Sequence, residues 1–282
     1  MMNTFTMKKN NTLIISLFLG CIIFLIASCA PERDPNKPRY VNPKFAKAYT
    51  SKGNFNYKKK QLDEAMENYT KAIRADAGHT EAYYRRGVVY TDLGKYAEAM
   101  KDYNRAIELD AEHMDAYLNR GIAHHHLKQY NKAKQDFDKT LQVAPRNYKA
   151  YQYRAITNYQ SGNMTEAEKD MSKAIELKPN YADAYYNRGN LYNEQGKMAD
   201  AERDFTAAIK ADSSYVPAYN NRGLLYFNQQ KYSEAIADYT KALEFDPNSI
   251  ILYVNRKDVY EKIGNQAKAD ADYQKALALQ GQ

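Results

Sequence analysis

Hydrophobic residues in this chain recur on a helical rhythm that restarts every 34 residues, seven times, without an inserted or deleted residue. The units begin at Ala46, Thr80, Met114, Tyr148, Ala182, Val216 and Ile250. In the second unit, Thr80 to His113, large residues fall at unit positions 4, 11, 17 and 24 and small ones at 8, 20 and 27. At 100° per residue, positions 4, 8 and 11 share one helical face, and positions 20, 24 and 27 share another. Gly94, between them, tolerates positive φ and ends the first helix. Each unit is therefore predicted to be a helical hairpin whose small residues let the two helices cross closely. The whole is predicted to be an all-α solenoid in which every hairpin buries its apolar face on its neighbours.

Ala fills position 20 of every unit, from Ala65 to Ala269, and Tyr fills position 4, from Tyr49 to Tyr253. Pro145, Pro179 and Pro247 recur at position 32. This grammar resembles the tetratricopeptide repeat over residues 46–282. The resemblance implies a right-handed solenoid of units 46–79, 80–113, 114–147, 148–181, 182–215, 216–249 and 250–282. It also implies that the first helices line a concave groove where a partner protein binds. Position 8 departs from the pattern at Ala155 and Lys257, which predicts a looser crossing in the last hairpin. The outward residues of the last helix, Asp270, Ala271, Gln274, Lys275 and Ala278, are small or polar, so that end is expected to be adequately capped.

Position 7 is basic throughout, and an acid follows it 16 residues later. The pairs are Arg86 with Asp102, Arg120 with Asp136, Arg154 with Asp170, Arg188 with Asp204, Arg222 with Asp238 and Arg256 with Asp272. In the first unit both members change, to Lys52 and Asn68. Position 7 lies about 60° from position 4, on the inward side of its helix. A guanidinium there needs a planar acceptor, which a facing Asp supplies. The ladder is therefore expected to be structural.

Once positions 4, 11, 17 and 24 are assigned to the core, 18 of the 27 tyrosines are accounted for. Positions 2, 5, 6, 9, 12 and 13 lie opposite and are left for binding. There the candidates are Tyr84, Tyr153, Tyr159, Tyr186, Asn190 and Phe227, with Asn119, Asn187, Asn221 and Asn255 all at position 6. An amide donates and accepts, so a row of amides can hold an extended backbone without reading its sequence. The row resembles the asparagine ladder in the repeat groove of O-linked N-acetylglucosamine transferase, although no transferase domain is present here. The groove's charges are five positive (Lys47, Lys58, Arg85, Lys149, Lys262) and seven negative (Glu81, Asp92, Asp115, Asp183, Glu194, Asp258, Glu261). That balance excludes nucleic acid, although the chain carries a net +7. The carboxylate clamp of chaperone-binding arrays is absent, because Asp115 and Asn119, or Ile251 and Asn255, stand where its cations belong.

The N-terminus is a separate object. Lys8 and Lys9 precede an uncharged run from Leu13 to Ala27, 15 residues long; a membrane-spanning helix needs about 20. This reads as the apolar core of a secretory signal over residues 1–28. Ile26-Ala27-Ser28-Cys29 resembles the bacterial lipobox, which implies cleavage before Cys29 and a covalent lipid, palmitate included, on that residue. Pro31, Pro35, Pro38 and Pro43 among mixed charges predict an extended tether over 29–45. Ala30 after the Cys implies the outer membrane, with the solenoid facing the periplasm, and Glu32 and Asp34 in the tether leave surface display as the alternative.

The two cysteines, Cys21 and Cys29, are consumed by the signal and the anchor, which leaves no thiol for a disulfide, metal site or nucleophile. His124-His125-His126 point 100° apart on a helix and cannot converge on one ion. No glycine-rich phosphate loop or catalytic grouping stands outside the repeat grammar. The expectation is a non-enzyme with no cofactor beyond the lipid, no metal and no small-molecule substrate. It would act as a scaffold that captures a peptide or protein segment. The alternative is a structural or self-associating assembly factor for an outer-membrane, secretion or pilus machine. Anchor and repeats together resemble envelope lipoproteins of the pilotin and barrel-assembly-helper kind in design.

Overall fold

The computed structural model describes residues 41–281, among which fourteen α-helices fold as seven hairpins. In chain order these are α1 (Pro43–Lys58) and α2 (Leu62–Ala75), α3 (Thr80–Asp92) and α4 (Tyr96–Leu109), α5 (Met114–His126) and α6 (Tyr130–Val143), and α7 (Tyr148–Gln160) and α8 (Met164–Leu177). They continue with α9 (Ala182–Glu194) and α10 (Met198–Ala211), α11 (Val216–Asn228) and α12 (Tyr232–Phe245), and α13 (Ile250–Lys262) and α14 (Gln266–Gln280). Among the described residues no helix is long and apolar enough to cross a membrane. The signal, Cys29 and the tether up to residue 40 lie outside the described residues. Pro43, expected in the tether, is instead the first residue of α1, where its missing N–H costs nothing; the Asn42 side chain caps the helix by accepting from the Phe45 amide.

Every hairpin turns at unit position 15. Its φ is 70–79° at Gly94, Gly162, Gly196 and Gly264, and 58–61° at Lys60, Lys128 and Gln230. The last three residues hold the left-handed conformation against a Cβ penalty that glycine escapes.

Inside each hairpin the closest approach sets a glycine against an aromatic ring. A Cβ on Gly87 would sit 2.7 Å from Tyr103, and one on Gly121 would sit 2.6 Å from Phe137; Gly53, Gly189 and Gly223 face Tyr69, Phe205 and Tyr239 in the same way. In unit four both partners differ, as Ala155 and Met171, and a flexible thioether accommodates the methyl. The last hairpin does not cross loosely over Lys257 but closes like the others. Tyr273 is 48% exposed where its counterparts are sealed, because the next-unit side chain that covers them, such as Val89 over Tyr69 and Val259 over Tyr239, has no equivalent among the described residues. With Leu277 also exposed, the outer face of α14 is more apolar than expected.

The core is narrower than the spacing suggested. Tyrosines at positions 4, 11 and 17 are mostly half-buried, with Tyr49 exposed and Tyr219 and Tyr260 deep. The sealed positions are 20, 24 and 27 together with 3 and 10 of the following unit. Ala72 packs on Ala82, Ala106 on Ala116, Ala174 on Ala184 and Ala208 on Ala218. Tyr69 meets Val89, Phe205 meets Leu225, and Tyr239 meets Val259. Positions 3 and 10 were readable as a second apolar pair seven residues apart, but a single hairpin gives them nothing to face.

The arginine ladder forms in six units. Each guanidinium forks onto its Asp through Nε and Nη2 at 2.6–2.9 Å. The carboxylates are buried and the arginine side chains are 16–23% exposed. Burial pushes the Asp238 carboxyl above its usual range, although Arg222 opposes the shift. The third donor, Nη1, crosses into the preceding unit, reaching Thr70, Asn104, Asp138, Ser172, Thr206 and Thr240 in turn. The half-buried position-4 tyrosines lie under these cations, Tyr117 and Tyr151 at 5.4 Å from ring centre to guanidinium. In the first unit Asn68 is buried and donates to the Glu64 carbonyl.

Candidate functional site

First helices of neighbouring units touch each other, whereas second helices do not. The array therefore curves with α1, α3, α5, α7, α9, α11 and α13 on its inner side, which places positions 2, 5, 6, 9, 12 and 13 in the groove.

Between α7, α9 and α11 the groove deepens into a cleft of about 340 Å³ lined by Ile156, Tyr159, Gln160, Met171, Asn187, Asn190, Asn193, Glu194 and Asn221. Four of the expected residues, Tyr159, Asn187, Asn190 and Asn221, are brought together here. Asn193 and Glu194 complete one polar face of α9. Gln160 was in register for this face at position 13, and Met171 reaches it from the core side of α8.

The asparagines do not form a row at position 6. They form a zigzag across units: Asn255 Nδ2 donates to Asn220 Oδ1 at 2.8 Å, Asn220 Nδ2 to Asn221 Oδ1 at 3.1 Å, and Asn221 Nδ2 to Asn190 Oδ1 at 2.7 Å. Asn221 Nδ2 also reaches the Tyr186 hydroxyl at 3.2 Å. The chain runs in one direction and ends with the Asn190 carbonyl occupied and its amino group open to the cleft. Each donor polarises the next amide, so the terminal N–H groups are strengthened as donors. The amide of Asn187 makes no hydrogen bond among the described residues and faces the same space.

The remaining candidates lie elsewhere. Tyr84 is only 9% exposed and packs against Tyr103 and His113, so it belongs to the core rather than to the groove surface. Asn119 spends its amino group on the Asp115 carbonyl and the Tyr84 hydroxyl. Tyr153 stacks on Phe137, and Tyr186 is held between Phe205 and Tyr215. Phe227 leans on Tyr232, outside the cleft. Cys29 lies outside the described residues.

Most groove carboxylates already have partners within the chain. Glu81 pairs with Arg85, Asp92 accepts from Tyr57, Asp183 accepts from Tyr215, and Asp258 and Glu261 share Lys257. Glu194 accepts from the Tyr159 hydroxyl and has no cationic partner among the described residues. Burial, then the bond to Glu194, pushes the Tyr159 phenol up to about 12, so it stays protonated and donates.

The three histidines diverge as the helical step requires. His124 meets Gln129 and Asp136, His125 meets Thr157, and His126 stacks on Tyr96. Among the described residues no three His, Cys, Asp or Glu side chains are grouped to hold a metal ion.

Comparison with known proteins accounts for nearly all of the described array. Tetratricopeptide repeat profiles match residues 46–79, 80–113, 115–147, 182–215, 216–249 and 252–282, and a TPR repeat profile matches 157–196. No curated protein sequence matches the chain. Among solved structures, a tetratricopeptide repeat protein from Parabacteroides merdae is similar at 23% identity and a TM-score of 0.65, covering 84% of this chain and 93% of that one. Pseudomonas aeruginosa pilF is similar at 15% identity and a TM-score of 0.66, covering 78% and 98%. YrrB, described as a TPR protein with an unusual peptide-binding site, is similar at 22% identity and a TM-score of 0.50, covering 65% and 95%. At these identities the likeness is one of fold.

Proposed function

The chain belongs to the tetratricopeptide repeat family, and from that premise we propose that it is a lipid-anchored adaptor of the bacterial cell envelope. It holds an extended segment of a partner protein in the cleft between α7, α9 and α11. The observation that carries this reading is the directional amide chain from Asn255 to Asn190, which presents open donors beside the unpartnered amide of Asn187. A peptide backbone in extended form offers the matching carbonyls and N–H groups and has no internal use for them. The peptide-binding site of YrrB is a property of that protein; it shows that this fold can host such a site.

The anchor rests on the sequence Ile26-Ala27-Ser28-Cys29 and the proline-rich segment after it. Cys29 carries the lipid, and Ala30 directs the protein to the outer membrane with its groove toward the periplasm. The test joins both parts. A photoreactive benzoylphenylalanine at exposed Asn193 is expected to trap one envelope protein in living cells. Asn187→Ala with Asn190→Ala abolishes that adduct, and Cys29→Ser moves the protein from the membrane to the soluble fraction. An adduct indifferent to the two asparagines would remove the cleft from the function.

A second reading, self-association in an assembly machine, is favoured by apolar side chains at the outermost described helices. Phe45 and Phe55 on α1 are 60% and 57% exposed, and Tyr273 and Leu277 on α14 are 48% and 41% exposed. Light scattering over a hundredfold concentration range distinguishes it: growth in mass supports self-association, and a constant monomer mass opposes it.

A further inference from the structure

Resting on the peptide-groove reading, one carboxylate stands apart. Glu194 lies on the lining of the cleft, four residues beyond Asn190 on α9, and is exposed at the rim. Among the groove carboxylates of units five to seven, Asp183 is satisfied by Tyr215 while Asp258 and Glu261 are neutralised by Lys257. Glu194 is only positioned. The Tyr159 hydroxyl, from the facing helix α7, donates to Oε1 and so fixes the carboxylate at the cleft mouth without neutralising it. The nearest lysine in sequence, Lys197, turns away to Glu168 at 3.6 Å. The lining of the cleft contains no lysine or arginine, so Glu194 carries its only formal charge.

We propose that Glu194 is a specificity subsite for a lysine or arginine side chain of the bound segment, set beside the backbone position read by Asn187 and Asn190. Spacing agrees with that assignment. Residues four apart on a helix rise by about 6 Å. In an extended peptide, side chains on one face recur every second residue, about 6.6 Å apart. A backbone carbonyl held by the Asn190 amino group therefore brings the side chain two residues along to the Glu194 carboxylate. The groove thus combines sequence-blind holding with one charge-reading position, and it rejects an acidic residue there by like-charge repulsion.

The test is selection of a displayed random decapeptide library on the full-length protein in detergent, using wild type, Glu194→Gln, Glu194→Lys and the Asn187→Ala/Asn190→Ala pair. All variants sit on the open face, and circular dichroism melts check that each is folded. Wild type is expected to enrich Lys or Arg at one fixed position. Glu194→Gln should lose that enrichment and bind the wild-type winner about fivefold more weakly, an effect that shrinks with added salt. Glu194→Lys should enrich Asp or Glu at the same position. If peptides are selected and depend on Asn187 and Asn190 but show no basic preference, the groove reading survives and the Glu194 subsite is overturned. If no peptides are selected, or if the winners bind the asparagine variant as well as wild type, both readings fall.

Discussion

Arg188 and Ser172 tie two repeats together: Nη1 of Arg188 donates to the Ser172 hydroxyl at 3.0 Å, across the boundary between units four and five. The other edge of the same guanidinium forks onto Asp204 in its own unit at 2.7 and 2.9 Å. Each rung of the ladder is thus both a clasp within a hairpin and a joint between hairpins. A solenoid has no central core to impose cooperativity, so nearest-neighbour terms of this kind determine how far unfolding spreads.

Removal of Asp204 leaves Arg188 charged in a largely buried seam with its best acceptor gone. Asp204→Ala is expected to cost about 3 kcal/mol, and Ser172→Ala about 1 kcal/mol. Both are measured by guanidinium chloride unfolding. Ser172→Ala should also loosen cooperativity between units four and five, visible as a broader transition. If Asp204→Ala melts like wild type, the ladder is ornamental.

Gly189 faces Phe205 so closely that a methyl would meet the ring at 2.8 Å. Gly189→Ala alone is expected to cost about 1–3 kcal/mol through overpacking. Unit four shows the compensating solution in Ala155 with Met171, so adding Phe205→Met should recover part of the loss. A double-mutant cycle checks this, and strict additivity of the two changes would count against the packing explanation.

Lys128 holds φ 58° at a turn where four other units place glycine. Lys128→Gly relieves a left-handed penalty of roughly 1–2 kcal/mol and adds unfolded-state freedom worth roughly 0.5–1 kcal/mol. The net expectation is a stabilisation of about 0.5–1 kcal/mol in chemical denaturation. Gly162→Ala, the reverse experiment, should destabilise by a comparable amount.

The hairpins, their register and the Arg–Asp pairs were legible because each depends on contacts inside one 34-residue unit. What was hidden depends on how units meet. Asn221 bonds Tyr186, 35 residues back, and Asn190, 31 residues back, so no single repeat position reveals the amide zigzag. Thr70, Asn104, Asp138, Ser172, Thr206 and Thr240 all stand at unit position 25, 16 residues before their arginines, but the residue type varies and only a side-chain oxygen is kept, which hides the third arm of the ladder. Tyr84 and Tyr186 occupy the same position 5, yet Tyr84, with His113 over it at 4.8 Å, is sealed, whereas Tyr186, beside Tyr215, is half-buried. Helical periodicity identifies a face, and the neighbouring unit determines how much of that face remains open.

The third unit should respond to mild acid. His124 is pushed below the usual histidine range chiefly by burial, with Arg120 and Lys132 adding to the shift while Gln129 and Asp136 oppose it. His125 is lowered by burial and then by His126. The unfolded chain takes up these protons near pH 6.5, whereas the folded chain resists them. The two residues therefore contribute stability that is fully present above about pH 6.5 and is lost as pH falls toward their lower folded values. The melting temperature is therefore expected to fall between pH 7.5 and 5.5. His124→Tyr installs the residue that units two, five, six and seven carry at that position, and His125→Asn copies unit five. The double variant should flatten the dependence of the melting temperature on pH over this window. Parallel curves for wild type and double variant would show that other groups set the acid response.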